Sequence, residues 1–226
     1  MAGKDSFYAK YLKRVLDIFF STIALIVLGI PMLVVALIIR CTMGKPVLFK
    51  QKRIGKNEKR FVLLKYRSMK EANDEHGIPI PDSQRLTKFG KIIRKSSIDE
   101  LPSLINIIKG DMSIVGPRPL PTVYLPWYTE EEKHRHDIRG GLTGLAQING
   151  RNTASWEDRF AYDVKYVNEM SFALDAKIVF KTAFSVLQHK DVGVRGKGKV
   201  GDFDVERSGL SEVELNDLAI KNGWYD

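Results

Sequence analysis

An uncharged apolar segment near the N-terminus constrains the fold of this chain most. Residues 18–39 read IFFSTIALIVLGIPMLVVALII, which is 22 positions without a charge. As one helix, such a segment spans about 33 Å, enough to cross a hydrocarbon core of about 30 Å. It is apolar all round, which favours membrane contact over burial in a soluble core. A cleaved signal peptide fits poorly, because the segment is long and Arg40, Cys41 and Thr42 do not resemble a small-residue cleavage site.

Two features of this segment argue against a simple crossing. Gly29 and Pro31 interrupt its middle, and a proline inside a helix removes a hydrogen bond and clashes with the preceding turn, so a kink is expected. Residues 18–30 alone would reach only about 20 Å. Basic residues flank both ends, whereas a spanning helix keeps its positive excess on the cytoplasmic side. These are Lys10, Lys13, Arg14, Arg40, Lys45, Lys50, Lys52 and Arg53. A re-entrant helix that bends at Pro31 is therefore favoured, with a spanning helix as the alternative.

The charge of the chain is unevenly placed. The formal net charge is +9, yet residues 201–226 carry −5, so residues 1–200 carry +14. Such a basic body points to anionic partners: nucleic acid, lipid headgroups or phosphorylated small molecules. An apolar content of 44% with charges of mixed sign excludes a disordered chain. The single cysteine, Cys41, excludes an internal disulfide.

The segment after the apolar run is predicted to form a basic β-hairpin. Apolar stretches flank a turn at residues 55–58, GKNE, between residues 46 and 69. Eight basic residues of the hairpin either face solvent or contact anionic headgroups. They are Lys50, Lys52, Arg53, Lys56, Lys59, Arg60, Lys65 and Arg67.

Two longer helices are predicted towards the C-terminus, followed by a short one within residues 211–223. The apolar face of the first is formed by Trp156, Phe160, Val164 and Val167, and that of the second by Ile178, Val179, Ala183, Val186 and Leu187. Such basic and apolar helices either pack in the core or lie in the membrane interface. The predicted class is α+β: a re-entrant membrane helix in residues 1–45, a mostly helical domain with the hairpin in residues 46–190, and an acidic tail in residues 191–226.

The stretch SIDELPSLINIIKGDMSIVGPRP, residues 97–119, combines two carboxylates with an arginine between prolines. With Asp99 as the N-cap, Pro102 falls in the first turn of a helix over residues 101–109. Its plain interpretation is a cap followed by a turn. A helix N-terminus also favours phosphate, and a carboxylate there would stay ionised, as a nucleophile or Mg²⁺ ligand must be. Prolines on both sides of Arg118 would fix a guanidinium that matches phosphate oxygens.

Several segments in order resemble the bacterial sugar transferases, a family of monotopic polyprenol-phosphate phosphoglycosyl transferases. They are KRVLDI, RLTKFGKIIRKSSIDELPSLINIIKGDMSIVGPRP, YLPWY, GLTGLAQINGRN and DVKYV. The segments run from about residue 13 to residue 187 and cover most of the chain, and the central motif is long and specific.

The resemblance implies a reaction and a set of site residues. A phospho-sugar passes from a UDP-sugar to polyprenol phosphate on the cytoplasmic face of the bacterial inner membrane, and UMP is released. Asp99 is then the catalytic nucleophile and the Mg²⁺ ligand, with Glu100 assisting. Arg94, Arg118 and Arg151 then bind the phosphates. The family commonly breaks its re-entrant helix with Ser-Pro, whereas this chain has Ile30 before Pro31.

Other functions are weighed against this one. A membrane-anchored, non-enzymatic partner in polysaccharide assembly is the main alternative, and the intact Asp-Glu pair and arginines argue against it. No recognisable nucleic-acid module is present, so nucleic acid is not an expected partner. Anionic lipids are expected partners. The sugar, the glycan pathway, the role of the tail and the oligomeric state, including a homo-oligomer, are left open by the sequence.

Overall fold

A computed structural model describes residues 3–70, 82–149, 154–187 and 202–224. Helices and two small sheets alternate along these residues, which confirms the α+β class. The helices are α1 (Lys13–Met43), α2 (Asp82–Arg85), α3 (Lys88–Lys95), α4 (Ser103–Lys109), α5 (Glu130–Lys133), α6 (Leu145–Asn149), α7 (Trp156–Glu169), α8 (Phe172–Leu187), α9 (Phe203–Ser208) and α10 (Glu212–Lys221). The strands are β1 (Leu48–Ile54), β2 (Arg60–Tyr66), β3 (Met112–Val115) and β4 (Gly140–Thr143).

The apolar N-terminal segment forms one long helix. A π-helical turn, Tyr8–Leu12, leads into α1, and together they are long and apolar enough to span a membrane, with a mean hydropathy of 3.0 over the most apolar stretch. The helix continues through Pro31 without interruption. A helix long and apolar enough to cross a membrane is therefore present, and the predicted re-entrant path is not shown.

One face of α1 packs along the rest of the protein. Near its start, Asp17 is buried and accepts hydrogen bonds from Ser113 Oγ (2.7 Å) and the backbone N–H of Ile114 (3.0 Å). Near its end, Ile39 and Met43 are buried in a cluster with residues of β2 and α3. Both ends of the helix are thus attached to the same domain.

The opposite face of α1 is apolar and exposed. Its side chains recur every three or four positions, which places them on one continuous stripe. The stripe consists of Val15, Phe19, Phe20, Ile23, Ile26, Val27, Ile30, Leu33, Val34 and Leu37. An uncovered apolar surface of this length requires an apolar environment.

The predicted hairpin is confirmed. Strands β1 and β2 pair antiparallel from Leu48 opposite Tyr66 to Ile54 opposite Arg60, and the turn lies at Lys56–Glu58. The second sheet pairs β3 and β4 in parallel, with Met112 opposite Gly140. This sheet brings the stretch before Arg118 next to the glycine-rich segment.

The two C-terminal helices of the body differ in burial. The predicted face of α7 is largely confirmed, since Trp156, Phe160 and Val167 are buried. In α8, Ile178 is buried, whereas Val179 and Phe180 of the same apolar stretch are exposed. Core packing therefore accounts for α7 but for only a narrow strip of α8. The predicted terminal helix is also present, as α10.

Candidate active site

The backbone before α4 places the two carboxylates outside any α-helix. Ser97 has a φ of 58°, in the left-handed region, and the chain continues into a 3₁₀ turn at Ile98–Glu100. Helix α4 begins at Ser103 with Pro102 as its N-cap. The prediction that Asp99 caps a helix starting at residue 101 is therefore wrong. Asp99 lies inside the 3₁₀ turn, two residues after the left-handed Ser97, so its side chain does not cap α4.

Glu100 is held between two cations. Its Oε1 accepts hydrogen bonds from Lys65 Nζ and from Arg118 Nη2, both at 2.6 Å. Burial alone would raise the pKa of Glu100, but the charges of Arg118 and Lys65 outweigh it and lower that pKa to about 2. Glu100 is therefore ionised at every physiological pH and fixes both cations beside Asp99.

Asp99 is in a different environment from its neighbour. It is half-buried, and among the described residues none donates a hydrogen bond to its carboxylate. Burial and the negative charge of Glu100 raise its pKa to about 6, against the opposing charges of Lys65, Arg94 and Arg118. Above that pH it is a carboxylate with unoccupied lone pairs, which is what a nucleophile or a metal ligand requires.

Arg94 is positioned by a close approach of α3 to the end of β2. Thr87 caps α3 by accepting a hydrogen bond from the Gly90 N–H at 2.9 Å. A Cβ on Gly90 would lie 1.8 Å from the carbonyl oxygen of Ser68, so only glycine allows this packing. Arg94 Nε then donates to Ser68 Oγ at 2.8 Å. The guanidinium is close enough to lower the pKa of Asp99.

A small cleft lies beside these charges. Its volume of about 20 Å³ is room for about one water molecule. The lining residues are Arg53, Leu63, Lys65, Glu100, Ser103, Met112, Arg118, Pro119, Gly141 and Leu142. Any larger molecule must therefore lie over its mouth, where an anionic group would meet Lys65 and Arg118.

The structure brings four of the predicted site residues together: Asp99, Glu100, Arg94 and Arg118. Arg151 lies outside the described residues. Gly29 and Pro31 lie in α1, which lends no side chain to the cleft. The catalytic, substrate-binding and metal roles of all these residues stay predictions.

Lys65 is the site residue that sequence reasoning missed, because it was counted among the basic residues of the hairpin surface. The sequence gives no clear signal, because both faces of β2 carry apolar residues, Phe61 and Leu63 on one and Val62 and Leu64 on the other. In the structure Leu63 is buried, and Lys65, two positions along, shares its face. Burial lowers the pKa of Lys65, and Arg118 adds to this, although Glu100 opposes them.

The chain is similar in sequence to known proteins of one family. Residues 8–189 match the family model of the bacterial sugar transferases. The chain belongs to this family. It is 49% identical over 176 residues to the uncharacterized sugar transferase EpsL of Bacillus subtilis. The aligned region covers 78% of this chain and 87% of EpsL.

Other relatives carry more specific names. The UDP-N-acetylgalactosamine-undecaprenyl-phosphate N-acetylgalactosaminephosphotransferase of Aeromonas hydrophila is 36% identical over 185 residues, 78% of this chain and 44% of that protein. The UDP-glucose:undecaprenyl-phosphate glucose-1-phosphate transferase of Escherichia coli is 36% identical over 191 residues, 80% of this chain and 41% of that protein. The match thus spans less than half of these two longer relatives.

Proposed function

We propose that this protein is a phosphoglycosyl transferase that moves a phospho-sugar from a UDP-sugar to polyprenol phosphate. The observation that carries the proposal is the pair Asp99 and Glu100 set among three cations, Lys65, Arg94 and Arg118. Both named relatives are described as transferring a sugar phosphate to undecaprenyl phosphate. The products are polyprenol-diphosphate-sugar and UMP, a first step in glycan assembly.

The first half of the reaction uses Asp99 as the nucleophile. An Oδ atom of Asp99 attacks the phosphorus that bears the sugar, and the bond from that phosphorus to the bridging oxygen of the diphosphate breaks. UMP leaves with the electron pair of that bond, and the phospho-sugar stays on Asp99. Lys65, Arg94 and Arg118 are suited to spread the charge that develops on the transferring group.

The second half returns Asp99 to its starting state. An oxygen of polyprenol phosphate attacks the same phosphorus and the bond to Asp99 breaks. Dividing the transfer into two steps means that the soluble donor and the lipid acceptor need not occupy the site together. A small cleft lined by Glu100, the neighbour of Asp99, suits this order.

Mg²⁺ is the proposed cofactor, and the residues present fit it. Mg²⁺ in phosphate-transfer sites is typically held by one or two carboxylates together with substrate phosphates. Asp99 offers such a carboxylate, since no described residue donates a hydrogen bond to it. When bound, the ion would neutralise charge on the diphosphate.

The packing of α1 supports a protein that sits on one side of the membrane. Residues of the domain pack against α1 along its length. If α1 spanned the membrane, those domain residues would have to enter the bilayer with it. Insertion of the exposed stripe avoids this, so we propose a re-entrant helix with Gly29 and Pro31 at its deepest part, on the cytoplasmic face of the inner membrane. Asp5→Cys and Lys45→Cys, each in a Cys41→Ser background, should both label from the cytoplasm. Labelling from opposite sides would show a spanning helix instead.

The activity is tested by UMP release from purified protein with a panel of UDP-sugars that includes UDP-glucose and UDP-N-acetylgalactosamine. Repeated turnover, measured as UMP release, should require both Mg²⁺ and polyprenol phosphate. Asp99→Asn should abolish release and any phospho-sugar adduct detected by mass spectrometry. Asp137→Asn, which changes an aspartate outside the site, should keep both. Inactivity across the whole panel would favour a non-enzymatic membrane partner.

A further inference from the structure

Arg118 is carried by a segment that has few backbone donors. Pro117 and Pro119 lack an N–H, so neighbouring elements hold this segment through its carbonyl groups. The carbonyl oxygen of Pro117 accepts a hydrogen bond from the Gly141 N–H at 2.8 Å. That of Arg118 accepts one from Arg135 Nη2 at 2.7 Å, and that of Pro119 accepts one from Arg53 Nη1 at 3.2 Å. Three consecutive carbonyls are thus held by three different elements.

Arg135 is the most enclosed of these donors. Its side chain is 2% exposed. Nε and Nη2 both donate to Asp163 Oδ2, at 3.0 and 2.8 Å, and Nη1 donates to the Tyr128 hydroxyl at 3.3 Å. The guanidinium also lies against the rings of Tyr128 and Phe160, at 5.6 and 5.4 Å. A buried guanidinium with this many partners keeps one orientation, so its remaining bond to Arg118 is rigidly placed.

The C-terminal segment closes the aromatic wall around Arg135. Phe203 of α9 is fully buried, with its ring 5.3 Å from that of Tyr128 and 4.9 Å from that of Phe160. Arg207 of the same helix donates to Glu132 at 2.6 Å. This helix lies beyond residue 189, where the family match ends.

We propose that Arg135 is a positioning residue that sets the orientation of Arg118 through its backbone carbonyl, and that the C-terminal segment supports Arg135 through Phe203. The proposal rests on the proposed function only for the identity of the anion, which is taken to be the diphosphate of the donor. The positioning of Arg118 by Arg135 follows from the contacts alone. It also gives the C-terminal segment a role in the active site.

The first test replaces Arg135 by lysine, which keeps the charge near Asp163 but has no planar fork to reach the carbonyl of Arg118 as well. Hydrogen–deuterium exchange in peptides covering residues 112–125 should become faster. The KM for the UDP-sugar should rise at least tenfold, with a smaller change in kcat. Arg139→Lys is the matched control, because Arg139 also bonds a backbone carbonyl, that of Gly110 at 2.8 Å. It should leave exchange in residues 112–125 unchanged.

The second test is a double-mutant cycle. If Arg135 acts through Arg118, then Arg135→Lys should reduce activity little further in an Arg118→Ala background. Fully additive losses, or unchanged exchange in residues 112–125, would overturn the proposal. If Arg135→Lys does not fold, Tyr128→Phe replaces it, because this change removes one hydrogen-bond acceptor of Arg135. It should also speed exchange in residues 112–125 and raise the KM, both by less than Arg135→Lys.

Phe203→Ala tests the C-terminal part, with the exposed Val213→Ala as its control. Phe203→Ala should speed exchange in residues 112–125 and raise KM in the same direction as Arg135→Lys. No change in either would show that the C-terminal segment does not support the site. If the wild-type protein releases no UMP, the proposed function fails, while the exchange experiments still decide the positioning of Arg118.

Discussion

Asp99→Asn should stabilise the fold while it abolishes activity. Burial and the neighbouring charge of Glu100 raise the pKa of Asp99 from 3.8 to about 6. One pKa unit corresponds to about 1.4 kcal/mol, so ionised Asp99 costs the folded state up to about 3 kcal/mol at pH 7. Because the side chain is only half-buried, solvent screening reduces this cost, and a gain of about 1–2 kcal/mol in the free energy of unfolding is expected. Asparagine has nearly the same shape and carries no charge.

The gain should depend on pH in a defined direction. A carboxyl group whose pKa is raised on folding binds its proton more tightly in the folded than in the unfolded chain. Its cost is therefore absent below the ordinary pKa of 3.8 and complete above about 6. The free energy of unfolding of Asp99→Asn should therefore equal that of the wild type near pH 3.8. It should exceed the wild-type value by more and more as the pH rises to about 6.

Thermal unfolding in detergent at pH 4 and pH 7.5 measures this difference. For a chain of this size, 1 kcal/mol shifts the melting temperature by about 2–4 °C. Asp137→Asn is a control with the opposite expected sign. Burial alone would raise the pKa of Asp137, but hydrogen bonds from Lys4 and His134 outweigh burial and lower that pKa. Loss of this carboxylate should therefore destabilise the protein at pH 7.5. The reasoning is refuted if Asp99→Asn melts below the wild type at pH 7.5, or if its gain is the same at both pH values.

Three further predictions concern the surroundings of Asp99. The value of kcat/KM should fall as the pH drops below about 6, where Asp99 becomes protonated. Glu100→Gln removes the negative charge beside Asp99, so this fall should move to lower pH. A fall at the same pH in the variant would contradict the prediction. Lys65→Met should lower kcat/KM about 100-fold in the UMP assay, whereas Lys52→Met, on an exposed position of β1, should not; equal effects would remove Lys65 from the site. Gly90→Ala should destabilise the protein by at least about 2 kcal/mol in thermal unfolding, because its Cβ meets the Ser68 carbonyl. Gly29→Ala, inside α1 with nothing within 4 Å, should not destabilise it. A neutral Gly90→Ala would contradict the close approach of α3.

Local patterns were sufficient to predict the elements that are held by local forces. The hairpin was predictable because apolar stretches flank the Gly55 turn, and α7 because Trp156, Phe160 and Val167 share one helical face. The joint placement of Asp99, Glu100 and Arg118 was also expected, since they lie in one short stretch of the chain.

The failures arise where distant contacts override local preference. Asp99 has the residue type of an N-cap, but it lies in a 3₁₀ turn after the left-handed Ser97, and Ile98 of that turn packs against the cluster at the end of α1. The role of Lys65 depends on Glu100, 35 positions away. The exposure of Phe180 could not be read from periodicity, because periodicity defines a face of a helix without saying what covers that face.

The way Arg118 is held has a consequence for folding. The carbonyls of residues 117–119 accept from the side chains of Arg53 and Arg135 and from the backbone N–H of Gly141, so the donors come from both sides of Arg118 in the sequence. Two of these donors follow Arg118 in the sequence, whereas Lys65, Asp99 and Glu100 all precede it. During synthesis Arg118 is therefore held in full only after residue 141 has been made. An anion would meet a fixed Arg118 only once β4 has paired with β3.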